Sequence, residues 1–201
     1  MNFEKTKEDA LLEYMRHQRI IRSRELETSG HNRWTLHRLV GKGLVVRNGR
    51  GIYSLADYST EDQDLIEACK LVPHGVICLL SALRFHELGN QSPHEVWVAI
   101  DPKARLPRPE APPLRIVRYS GPALTEGIET HQIDGMEIRV YSKAKTVADC
   151  FKYRNKIGLD VALEALRDYR RDPRNSMDEL WRFAKICRNT NTIRPYLEAM
   201  S

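Results

Sequence analysis

The stretch SRELETSGHNRWTLHRLVGKGLVVRNGRGIYSL, residues 23–55, decides the reading of the fold. It runs as a short helical segment, a glycine turn at Gly30, a second helical segment, and two strand-like runs around Asn48-Gly49. That order predicts a winged helix-turn-helix, a module that lays its second helix in the DNA major groove. Asn32 is placed to cap the second helix, Ser23 to start the first, and Gly30 to supply the positive φ that ends it. Leu36, Leu39 and Val40 share one face at helical spacing. The opposite face carries Trp34, His37, Arg38, Gly41 and Lys42, with Thr35 at its edge. Thr35 and Arg38 suit base edges, and Lys42 suits a phosphate. The runs 44–46 and 52–55 form a hairpin, with Asn48-Gly49 as a tight-turn signal and Arg47 and Arg50 beside it.

Charge placement sharpens this reading. Residues 16–50 hold nine basic residues (Arg16, Arg19, Arg22, Arg24, Arg33, Arg38, Lys42, Arg47, Arg50) and two acidic ones (Glu25, Glu27), a net +7. The whole chain carries +5, so the basic excess sits on the candidate reading head. Such clustering marks a polyanionic partner. The expected DNA-binding set is Arg33, Trp34, Thr35, His37, Arg38, Lys42, Arg47 and Arg50.

A length of 201 residues holds two small domains. The expected division is 1–58 for the winged module and 59–201 for the rest. No apolar run reaches the roughly 20 residues of a membrane span, and the N-terminus lacks a signal-peptide core; a cytoplasmic location is expected. Cys69, Cys78, Cys150 and Cys187 are scattered, without metal-ligand or disulfide spacing. No metal and no cofactor is expected.

Thr6 with Asp9 predicts a capped first helix, and Thr60 a cap for a helix to about Val72. Further on, strands are expected at 96–100, 114–119, 128–133 and 136–141, the last two around the turn Asp134-Gly135. Helices then follow from residue 145 to the end. Strands before helices indicate an α+β chain: the N-terminal winged module, then a mixed α/β domain with a small sheet and C-terminal helices. Thr146 and Asp149 read structurally as a variant capping box. Lys143, Lys145, Lys152, Arg154, Lys156 and Arg139 are candidates for a second basic surface.

Several motifs, in order, carry a family resemblance. They are Arg38-Leu39-Val40, Gly43-Leu44, Arg50-Gly51-Ile52-Tyr53, Ser81-Ala82-Leu83 with His86 and Leu88, Val96-Trp97-Val98-Ala99, Asp134-Gly135, and Tyr141 to Phe151 with its Thr-x-x-Asp core. The chain resembles AbiEi-family antitoxins of type IV toxin–antitoxin, or abortive-infection, pairs. The resemblance implies a repressor that binds double-stranded DNA at inverted repeats in its own promoter, as a dimer or as two monomers. It implies a nucleotidyltransferase-like toxin as functional partner, opposed without a stable complex. It makes Lys143, Lys145, Thr146 and Asp149 the candidates in the antitoxin domain. A stand-alone regulator is the alternative. A metal-dependent nuclease built on Asp101, Asp134 and Glu137 is disfavoured, since Asp134 sits where turns favour aspartate and no phosphate-cradling glycine loop or nucleophile elbow is present. No enzymatic activity is expected.

Overall fold

A computed structural model describes residues 6–49, 51–58, 60–107 and 112–200. The chain is a mixed α+β protein with two small sheets, and it divides into two compact units. One holds residues 1–73, 107–114 and 131–138; the other holds 74–106, 115–130 and 139–201.

The first unit begins with α1 (Lys7–Gln18), β1 (Ile20–Arg22), α2 (Glu25–Thr28) and α3 (Arg33–Gly41). It continues with β2 (Val45–Gly49), β3 (Ile52–Leu55) and α4 (Gln63–Leu71). Thr6 and Asp9 close a reciprocal capping box on α1. Gly30 takes φ +76° after α2, and the Asn32 carboxamide accepts from Trp34 N at 2.8 Å to start α3. Ser23 does not cap α2. Its amide bonds to Gly51 O, and Arg22 N donates to the Glu25 carboxylate in the same turn. Ile20 and Ile21 belong to a strand: β1 pairs antiparallel with β3, giving the order β1-β3-β2. One core gathers Leu11, Met15, Ile21, Leu26, Leu36, Leu39, Val45, Tyr53 and Leu55.

Two expectations shift here. Asn48-Gly49 is not the hairpin turn: β2 runs through it, with an irregularity between Arg47 and Gly49, and Gly49 pairs with Ile52. Gly51, at φ +76°, takes the positive-φ position instead. The reason lies in α4. Glu67 is 4% exposed, and a buried carboxylate needs donors. Asn48 Nδ2 supplies one at 2.5 Å and Gln63 Nε2 another at 2.9 Å, and burial still holds the Glu67 carboxyl above its ordinary pKa. The second shift is the boundary. Residue 58 was the expected end of the first domain, but Leu65, Ile66 and Ala68 bury α4 against β1 and β3, and the unit extends to Pro73. Thr60 does not cap α4, whose N-cap is Asp62 without a side-chain bond.

After α4 come β4 (Val76–Ile77), α5 (Leu79–Phe85), β5 (Val96–Ile100), β6 (Leu114–Arg118), α6 (Pro122–Thr125), β7 (Ile128–Ile133) and β8 (Met136–Tyr141), all in the second unit except Leu114 and the turn-proximal residues 131–138 of β7 and β8, which fall in the first. The sheet order is β6-β5-β4-β8-β7, with β4 antiparallel to β5 and parallel to β8. Asp134 and Gly135 take φ +50° and +78° between β7 and β8, the pair of positive angles that a tight two-residue turn requires. Helices α7 (Lys143–Lys152), α8 (Arg154–Ile157), α9 (Leu159–Arg171), α10 (Met177–Ile186) and α11 (Thr190–Ala199) complete it. Ser142 and Ser176 cap α7 and α10. α7 lies at the centre, packed by α5, α9, α10 and α11, and eight of its ten residues are buried.

Gly127 is needed where the chain passes under α10. It has φ +75°, and a β-carbon there would come within 2.7 Å of Phe183 Cζ and 2.9 Å of Lys145 Cβ. Gly127→Ala combines left-handed strain with overpacking. It should lower unfolding free energy by about 2–4 kcal/mol, read as a reduced urea midpoint at unchanged slope.

Candidate nucleic-acid interface

Residues 34, 37, 38 and 41 recur at the i, i+3, i+4, i+7 spacing of one helical face. α3 turns this face outward because Leu36 and Leu39, fully buried on the other side, hold it against the core with α1. The exposed surface carries Arg33, Trp34, His37, Arg38 and Lys42, and Trp34 is 79% exposed. An indole left so open at the start of a helix contributes nothing to the core. A shallow groove beside it is lined in part by Lys7, Glu27, His31, Asn32, Arg33 and Trp34. Arg47 is exposed on β2, and its Nε donates to Gly49 O at 3.1 Å. Arg50, the other hairpin arginine, lies outside the described residues.

Thr35 departs from expectation. It is 6% exposed and faces the core with Leu36. At the margin of two faces, a short side chain follows the helix's buried side, so Thr35 is withdrawn as a base-edge contact.

The cations are not free-standing. Arg33 pairs with Glu27 at 2.8 Å. Arg38 and Lys42 both pair with Glu8 of α1, at 3.1 Å and 2.6 Å. Lys42, donating to that carboxylate, holds the Glu8 carboxyl below its ordinary pKa. These pairings were invisible along the sequence because Glu8 and Lys42 are 34 residues apart. They are exposed pairs, each contributing little to stability.

Residues 9–56 match the family described as transcriptional regulator, AbiEi antitoxin. This segment is similar to the AbiEi antitoxin transcriptional regulators. The AbiEi match takes in α3 and the hairpin and stops before α4, leaving the second unit unmatched. No curated protein matches the chain.

The residues expected to act in the second unit are placed differently. Lys145, Thr146 and Asp149 are buried, at 0%, 0% and 1% exposure. Lys145 Nζ lies 2.5 Å from Asp149 Oδ2 and sits over the rings of Tyr141 and Tyr119, 4.2 Å and 4.8 Å from their centroids. Cys187 donates to Asp149 Oδ1 at 3.0 Å. Burial pushes the Asp149 carboxyl up in pKa against the pull of Lys145, and burial lifts the Cys187 thiol to about 12. Thr146 Oγ1 donates to Tyr141 O. Thr146 and Asp149 are therefore not a capping box, since Ser142 is the cap. Lys145 also leaves the candidate basic surface. Lys143 remains half-buried, 3.9 Å from Asp172. His86 Nε2 hydrogen-bonds with Tyr141 O at 2.7 Å, a packing role.

Asp101 accepts from Lys103 N, Asp134 forms the turn, and Glu137 is exposed. Among the described residues no three His, Cys, Asp or Glu side chains gather to hold a metal ion. Among them too, no helix is long and apolar enough to cross a membrane.

Proposed function

We propose that the first unit is a winged helix-turn-helix and that the protein is a sequence-specific DNA-binding repressor, acting as the antitoxin of a type IV pair. The observation that carries this reading is the outward face of α3. Its apolar side is spent on the core, and its solvent side presents Trp34, Arg38 and Lys42 beside a hairpin bearing Arg47. A helix of this width fits the major groove, where Arg38 can read guanine bidentately. Lys42, one turn on, suits the phosphate backbone.

The finer parts follow the family of residues 9–56. The operator is an inverted repeat in the protein's own promoter, filled by two copies. The functional partner is a nucleotidyltransferase-like toxin encoded beside it, opposed without a stable complex. We place the protein in the cytoplasm and assign it no catalytic step. The antitoxin role is tested by co-expression with the neighbouring gene: growth should be rescued by the full chain, and absence of rescue would leave a stand-alone regulator.

The phosphate role has its own test. Lys42→Ala should weaken upstream and scrambled duplexes alike and reduce the slope of log K against log salt by about 1. Fluorescence anisotropy across a salt series reads both. A loss confined to the upstream duplex would contradict the assignment.

A further inference from the structure

Glu8 lies outside the family-matched segment and outside the reading face, yet one carboxylate engages both of that face's central cations. α1 places Oε1 3.1 Å from Arg38 Nη2 and Oε2 2.6 Å from Lys42 Nζ. The Glu8 side chain is 19% exposed, whereas those of Arg38 and Lys42 remain 64% and 54% exposed. The carboxylate therefore sits behind the two cations, and they keep their outer edges toward solvent.

We propose that Glu8 is a specificity-determining positioning residue for the DNA interface: it orients Arg38 and offsets part of the positive charge that would bind any duplex. This inference rests on the DNA-binding reading above. Attraction to phosphate carries no sequence information, whereas a bidentate arginine–guanine contact does. One negative charge beside two positive ones subtracts from phosphate attraction on every duplex alike. Holding the guanidinium from behind leaves other N–H groups for a base edge. It also reduces the rotamer freedom lost when the correct sequence is bound. Both effects raise the ratio of operator to random binding.

The test uses the full chain with Glu8→Gln, which keeps side-chain length and helix tendency. Anisotropy is measured on the protein's own upstream DNA and on a scrambled duplex, with helix content checked by circular dichroism. Binding to the scrambled duplex should tighten about three- to tenfold as the charge facing phosphate is removed. Upstream DNA should gain less, so the upstream-to-scrambled ratio falls. In an Arg38→Ala background, Glu8→Gln should tighten both duplexes equally and leave the ratio unchanged, which a merely structural role for Glu8 would not produce. If the wild-type chain discriminates and Glu8→Gln leaves its ratio intact, the inference is overturned while the DNA-binding reading stands. If the wild-type chain fails to discriminate, the reading and the inference fall together.

Discussion

Lys145→Met is expected to destabilise the protein by about 3–5 kcal/mol, because it strips a buried carboxylate of the ammonium 2.5 Å away. Lys145 and Asp149 are one turn apart on α7 and closed off from solvent. The two tyrosine rings and the Cys187 thiol complete their surroundings. Water cannot reach the orphaned carboxyl, and one thiol donor does not replace an ammonium. The loss depends on pH with a definite sign. In the wild type, burial already holds the Asp149 carboxyl above the ordinary carboxylate range. Without Lys145 it rises further, so the folded variant keeps a proton that the unfolded chain has released. Its stability is then fully present below the ordinary carboxylate pKa of about 4 and is lost as pH rises through the raised folded value. Urea midpoints of wild type and variant should lie closest in mild acid and separate toward pH 8. The double change Lys145→Met with Asp149→Leu should recover most of the loss, as buried ion pairs replaced by apolar residues often do. A single-variant cost below 1 kcal/mol at pH 7 would mean that the pair is not buried as described.

Arg38→Ala carries the largest expected effect on binding. If Arg38 pairs with a guanine, its removal should cost about 1–3 kcal/mol on upstream DNA and relax preference at one base pair. The scrambled duplex should lose much less. The Arg38 side chain is 64% exposed, and its ion pair, with the half-buried Glu8, bridges two helices at the edge of the core. Protein stability should therefore hold, which separates a binding defect from unfolding. A competition series with every base tried at each operator position would show the relaxed position. Equal weakening on all sequences would reassign Arg38 to phosphate.

The first unit was legible where short-range chemistry decides structure. Asn32, Gly30 and the Thr6–Asp9 box act within a few residues, and the sequence reports them directly. Leu36 and Leu39 likewise mark the buried face of α3 by spacing alone. What escaped depends on distant partners. Asn48-Gly49 is an ordinary turn signal until Glu67, 19 residues on, recruits Asn48 as a donor. Ile20 and Ile21 are too short a run to mark a strand until β3 pairs with them. Glu8 carries no mark of its link to Arg38 and Lys42.

In the second unit, strands and helices were readable from alternation and caps, but the candidate residues were not. Lys145 belongs to a residue type that is almost never fully buried without a partner. Its partner at i+4 also fits an exposed helical pair, and the sequence offers no choice between the two. Only the packing of α7 among its neighbouring helices decides it.

The proposed function stands or falls with DNA reading by α3 and its hairpin. Fluorescence anisotropy of the full chain on its own upstream DNA and on a scrambled duplex, across a salt series, tests it most directly. The upstream duplex should bind more tightly, with a preference that persists at physiological salt on top of a steep salt dependence common to both. Equal binding to the two duplexes at every salt concentration would contradict the proposed function.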